Sequence, residues 1–206
     1  MKEFLNALRV QRWDDHRYYH QSRINQSLHF VSAISFMIAY AMLFTSPALA
    51  AMIGWLVSMV TRQSGHFFFE PLGYDNVNQA TNEHKEAIKV GYNLKRKMML
   101  IAIWAVAPLT LMIDPTLLGI FEPAADRAAL IDLVGLIWLF IGIGGLLFRT
   151  VHLFFIRDVH TGLVWMAKIL TDPFHDIKIY YTAPFHLLRG ELIDPMHHTM
   201  QHTQGT

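Results

Sequence analysis

From Phe30 to Thr61 the chain carries no Asp, Glu, Lys, Arg or His, and only Thr45-Ser46-Pro47 interrupts the apolar run. A membrane-crossing helix needs about 20 predominantly apolar residues. The run therefore predicts two spans joined by a tight hairpin, the first near Ser27 to Ser46 and the second near Pro47 to Phe68. His29 and His66 then stand at the same interface. The mixed-charge stretch Tyr74 to Lys97 predicts a solvated helix through Asn82, Glu83, Glu86 and Lys89, ended by Lys95, Arg96 and Lys97. A third span starts at Met98, breaks at Asp114-Pro115 and is completed by Thr116 to Phe121. The fourth runs from Leu133 to Phe148, with Asp132 near its start and Arg149 closing it. Val151 to Leu170 mixes Phe154, Phe155 and Trp165 with Arg157 and Lys168, a composition suited to headgroup depth. The expected fold is all-α: a polytopic membrane protein of about four transmembrane helices with interfacial amphipathic helices.

One integral domain spans residues 1–206 in this reading. Its parts are an amphipathic N-terminus (1–26), a helical hairpin bearing the site (27–73), a loop (74–97), a second helical pair (98–150) and an interfacial C-terminal region (151–206). The first twenty residues lack a continuous apolar core and a small-residue cleavage site, which predicts that the start is mature sequence. Hydrophobic residues make up 53% and charged residues 16%, a balance that favours a membrane over water. A formal net charge of +1 excludes the concentrated basic surface that a nucleic-acid binder needs. With no cysteine, thiolate sites and disulfides are excluded, and His, Asp and Glu remain as the chemical vocabulary.

Orientation follows from the cations. Of 17 Lys and Arg, only Arg127 falls in a segment opposite the termini. The positive-inside rule then puts both ends and the central loop in the cytoplasm, of a bacterial inner membrane or of an endoplasmic reticulum. All twelve histidines share that side. Two of them come with partners. His66 and Glu70, four apart, share a helical face and can bind a metal together or merely bond each other, and Gly65 lets a second helix approach. His29, at the start of the neighbouring span, is brought toward His66 by the hairpin itself. Ionisable groups at this depth cost at least about 2.5 kcal/mol each, so they are rarely left there without a partner or a function.

Other histidines carry weaker signals. His16 and His20 are again four apart. His84 lies in the loop, and His152 and His160 follow span four. His197, His198 and His202 sit among Thr, Gln and Gly in a tail that suggests disorder. The 11 methionines suit packing better than copper. Gly142, Gly144 and Gly145 permit close helix packing, within a protomer or in a homo-oligomer.

Tyr19-His20, Asn25 and His29, followed by the hairpin ending in Gly65-His66-Phe67-Phe68-Phe69-Glu70, resemble the 2-hydroxy fatty acid dioxygenase family known from fungal phytosphingosine breakdown. The resemblance covers Tyr18 to Glu70, about a quarter of the chain. Gln21-Ser22-Arg23 and Pro71-Leu72-Gly73-Tyr74 depart from the family's Asn-Pro and basic-Pro-Ala-Leu elements. The likeness implies a small multispan protein, with Fe2+ as cofactor and a long-chain lipid as substrate. It further implies His20, His29 and His66 as metal ligands, Glu70 as a ligand or a group orienting an imidazole, and oxidative shortening of a 2-hydroxy fatty acid by one carbon. A 2-hydroxy acid is itself a chelator, and Arg23 or Arg62 would offset its charge. Two alternatives stay open: a di-iron fatty-acid hydroxylase or desaturase, and a non-enzymatic membrane protein that binds metal or haem.

Overall fold

The computed structural model describes residues 1–70 and 73–196, and His197, His198 and His202 lie outside the described residues. The described chain is helical, with no strand and two isolated bridges, Ser22 with Ile193 and Asp75 with Ala80. Its helices are α1 (Lys2–Tyr19), α2 (Arg23–Met42), α3 (Pro47–Met52), α4 (Val60–Phe68), α5 (Asn82–Ile88), α6 (Leu94–Val106), α7 (Arg127–Ile156), α8 (Val159–Tyr180) and α9 (Ala183–Leu188). Helix starts are written locally. The side chains of Ser22, Thr81, Asn93, Asp126 and Asp158 each accept a backbone N–H from the first turn of the helix they precede.

The charge-free run folds back at Ser46-Pro47 as its turn chemistry predicts, with Pro47 opening α3. The second arm differs from the single helix expected there. Between α3 and α4 the residues Ile53–Met59 form a wide π segment, in which the Ser58 hydroxyl donates to the Ile53 carbonyl five residues back. The segment turns Trp55 toward α7, where its indole N–H donates to the Trp138 carbonyl at 2.8 Å. Trp138 donates in turn to the Trp104 carbonyl of α6 at 3.0 Å.

Among the described residues, only α7, with 30 residues and a mean hydropathy of 2.3 in its most apolar window, is long and apolar enough by itself to cross a membrane. Where a third crossing is expected, α6 is continued by a short 3-10 turn, Ala107–Met112, that ends before the Asp114-Pro115 break, and Thr116 to Phe121, expected to complete the crossing, forms turns and a bend instead of helix. The Asp114 carboxylate binds the N–H groups of Thr116 and Leu118 and ends the helix. The C-terminal region is arranged differently from the expectation. Residues 151–156 extend α7, and α8 packs against α2, α7 and α1 as part of the bundle. Its amphipathicity comes from a polar face that serves the interior, not water.

Burial is inverted relative to a soluble protein. Along α2 the buried side chains include Arg23, Asn25, Gln26, His29 and Ser32, while Val31, Ile34 and Ile38 are exposed. Exposed Phe140, Phe148 and Phe155 continue this apolar exterior on α7. Helices α3 and α7 meet backbone to backbone at Gly135, where a Cβ would stand 2.5 Å from the Ala48 carbonyl oxygen.

Because that neighbour is backbone, Gly135→Leu has no side chain to push aside. We expect a loss of about 1–3 kcal/mol of stability, read as a lower thermal midpoint in detergent. Gly144→Ala, which meets nothing within 4 Å, is expected to leave the midpoint unchanged or raise it.

Candidate metal centre

The α1–α2 junction is fixed by α2 itself. Asn25 donates to the Tyr19 carbonyl and Gln26 to the His20 carbonyl, both at 2.8 Å, so the residue that caps α1 cannot swing away. A C-terminal strap reinforces the junction: Asp194 pairs with Arg23 at 3.0 Å and accepts from Gln26 at 2.8 Å. Across the hairpin, α4 approaches α2 at Gly65, where a Cβ would collide with the Asn25 amide oxygen. These constraints bring His20, His29 and His66 together.

All three imidazoles are buried, and one nitrogen of each ring lies within 4.8 Å of those of the other two. His20 Nε2 and His29 Nε2 are 3.1 Å apart, and the ring centroids stand 4.1 to 5.2 Å from one another. Each outer nitrogen is treated differently. His66 Nδ1 faces the Glu70 carboxylate at 2.7 Å, which leaves Nε2 as its free ring nitrogen. His29 Nδ1 faces Asp176 of α8 at 3.5 Å, and His20 Nδ1 is buried without a partner among the described residues. Tyr180, one turn beyond Asp176, packs on His20 and His29 and bonds His16 Nδ1 at 2.9 Å.

This set fits a divalent transition metal. Two ring nitrogens held by one ion at about 2.0–2.1 Å each stand roughly 3 Å apart when they take neighbouring positions, which is the spacing of His20 and His29. Burial first, and the neighbouring His29 second, hold the His20 imidazole well below the ordinary histidine range. It therefore stays neutral with a lone pair to give. Glu70 and Asp176 fix imidazole orientation, as carboxylates behind metal-bound histidines commonly do.

The other expected site residues lie elsewhere or act otherwise. Arg23 is neutralised by Asp194 behind the junction and does not line the cavity described below, so the expected substrate role is not supported by its placement. Arg62 does line it, but pairs with Asp176 at 2.9 Å and Asp172 at 3.7 Å. His16 belongs to Tyr180. His84 is exposed, His152 bonds Arg149, and His160 is exposed against Phe4.

His66 forms part of the wall of a cavity of about 440 Å³ between α2, the π segment, α6 and α7. Its polar end holds Asp15, Arg62, Lys89, Lys97, Lys168 and Asp172, and its far end is walled by Phe36, Trp55, Trp138 and Leu139. Lys168 spans Asp15 at 2.7 Å and Asp172 at 2.6 Å. Burial by itself would raise Asp15, but Lys168 overcomes it and the carboxyl is held below the ordinary aspartate range.

Sequence reasoning missed Asp176, Tyr180, Lys89 and Lys97. A signal for the first two was present: Lys168, Asp172, Asp176 and Tyr180 recur every four residues and so share one helical face. No protein-family model, curated protein or solved structure matches the chain.

His66→Ala is expected to abolish metal binding by the purified protein or weaken it about 10-fold or more, read by elemental analysis and competition with a coloured chelator. Glu70→Gln and Asp176→Asn should each weaken it about 10- to 100-fold. Retention of metal by His66→Ala, with loss on changing His84 or His152, would place the centre elsewhere.

Proposed function

We propose that the chain is a membrane-embedded non-haem iron oxygenase that shortens long-chain 2-hydroxy fatty acids by one carbon, as the resemblance at Tyr18–Glu70 implies. The observation that carries this reading is a cluster of three buried imidazoles, one of which, His66, lines the polar end of a cavity whose far end is apolar. Imidazoles backed by carboxylates, with room for further ligands, suit ferrous iron that must take both substrate and oxygen. Bound there, the iron would supply the oxygen chemistry. The overall conversion of a 2-hydroxy acid and O2 to the shorter acid, CO2 and water balances without an added reductant. A hydroxylase or desaturase needs one.

The chain's own residues do the rest. His20, His29 and His66 hold the metal, while Glu70 and Asp176 keep two of the rings turned inward. Phe36, Trp55, Leu139 and Ile143 shelter the acyl chain from water. Arg62, already paired with Asp176 and Asp172, positions Asp176 and does not serve the headgroup. Neither rival reading is favoured by the cluster. Among the described residues it is the one group of three or more potential metal ligands, whereas a di-iron centre needs more. Rings 4.1 to 5.2 Å apart leave no space for a haem between them.

In the four-span arrangement that we propose, α2 and the arm from α3 to α4 form the first hairpin, and α6 with its 3-10 extension pairs with α7. The histidine cluster then faces the cytoplasm. The exposed apolar side chains of α2, α6 and α7 face lipid.

Iron-loaded protein in detergent and air should convert a long-chain 2-hydroxy fatty acid to an acid one carbon shorter without an electron donor. A non-hydroxylated acid should react much more slowly, and a chelator or removal of oxygen should stop turnover. Mass spectrometry checks this: an added oxygen or double bond at unchanged chain length would favour the di-iron reading, and no oxygen-dependent product the non-enzymatic one. For topology, a periplasm-active reporter should be silent after Gly73 or at Thr206 and active near Ala125. An active fusion at Thr206 would overturn the four-span arrangement.

A further inference from the structure

Four basic side chains line the cavity: Arg62, Lys89, Lys97 and Lys168. Three have their charge answered. Arg62 pairs with Asp176 and Asp172, Lys89 with Glu70 at 3.5 Å and Glu86 at 3.2 Å, and Lys168 with Asp15 and Asp172. Among the described residues no hydrogen bond or ion pair reaches the Lys97 ammonium. We infer that Lys97 is an anion-binding position that seats the carboxylate of a single-chain fatty acid, with the chain running from there along α6 toward Trp55 and Trp138.

Among the 13 residues of α6 none is fully buried, and Met98 and Met99 are exposed on its outer side. Lys97, Leu100 and Ile101 instead share the face that closes the cavity, since residues three and four apart on a helix lie together. One turn further along the same face stands Trp104, stacked on Trp55 at 5.5 Å between ring centroids. A cation followed by apolar steps is the imprint of an amphiphile. Three basic residues, Lys95, Arg96 and Lys97, crowd the first turn of α6. Cations there oppose the helix dipole, so helix stability does not explain them.

Length agrees as well. On the opposite wall, His66 lies eleven positions after Trp55, at most about 16 Å at the α-helical rise of 1.5 Å per residue. One lipid chain occupies about half of a hydrocarbon core roughly 30 Å thick. The cavity thus accepts one acyl chain lengthwise from its polar end. An arriving carboxylate gives the half-buried Lys97 ammonium a charge-assisted hydrogen bond in place of lost hydration. The two basic residues expected from sequence to meet the headgroup, Arg23 and Arg62, are occupied by carboxylates of the chain itself.

This inference rests on the reading of the cavity as a lipid-chain site, so its test separates the two. Displacement of a fluorescent fatty-acid probe from the metal-free full chain in nanodiscs is measured with palmitate and with hexadecan-1-ol, which share chain length and differ in charge. Lys97→Met should weaken palmitate about 10-fold or more and leave hexadecanol unchanged, and Lys97→Arg should retain palmitate binding. Equal palmitate affinity in wild type and Lys97→Met would overturn the role of Lys97 while leaving the lipid cavity standing. Parallel loss of both ligands would overturn it by showing that Lys97 only supports the cavity. If neither ligand displaces the probe from the wild-type chain, the lipid-chain reading itself fails. Because iron and oxygen are absent, none of these outcomes depends on the redox chemistry.

Discussion

The fold depends on bringing polar groups into an apolar bundle without leaving them alone. An ionisable side chain taken out of water without a partner costs several kcal/mol. The interior of this bundle contains a chain of ionisable groups. Arg12, Lys168 and Arg62 alternate with Asp15, Asp172 and Asp176, and the last of these touches His29. The ion pairs join α1, α4 and α8, so the polar core and the helix packing are one arrangement. Breaking a buried pair leaves an uncompensated charge, which costs more than the pair contributed. Such a core specifies which helices must meet.

α8 has the largest part in this. It places Lys168, Asp172, Asp176 and Tyr180 on successive turns against α1 and α2. Asp176 then orients His29 on one side and holds Arg62 on the other. The histidine cluster is therefore not a property of the hairpin alone. The hairpin brings the imidazoles close, and α8 determines how they are turned. Glu70 performs the same service for His66 from within α4's own continuation, and Lys89, lent by the central loop, balances Glu70 from outside.

Much of this was legible in the chain itself. A charge-free run broken at Ser46-Pro47 predicts antiparallel arms, and antiparallel arms put His29 beside His66. The four-residue spacing of His66 and Glu70 predicts their pairing, and Gly65 marks the close approach that Asn25 fills. Other features depend on contacts between segments far apart in sequence. A π segment inside α3 to α4 follows from packing of Trp55 on α7, and no period in the sequence announces it. The engagement of Arg23 requires Asp194, more than 150 residues away, so its basic charge looked available when it was not. The period-four stripe on α8 was visible, but the aromatic and basic residues around it suggested headgroups. A polar stripe at helical spacing is compatible with water outside or with a charged core inside, and composition does not separate the two.

The position of the metal-binding candidates along the cavity bears on the reaction class. An enzyme that hydroxylates or desaturates mid-chain must hold its oxidant well away from the headgroup, part-way down the acyl channel. Here His66 lies among the charged residues at the polar end, and the stretch from there to Trp55 and Trp138 is lined by apolar side chains. In the proposed reading, a carboxylate seated beside this cluster would bring its neighbouring carbon toward the residues that would hold the metal. A hydroxyl on that carbon would offer such a metal a second oxygen donor, while a plain acid would offer the carboxylate alone. Preference for a 2-hydroxy acid then follows from geometry in the proposed reading: the headgroup is both the anchor and the chelator, and the chain contributes burial and length selection.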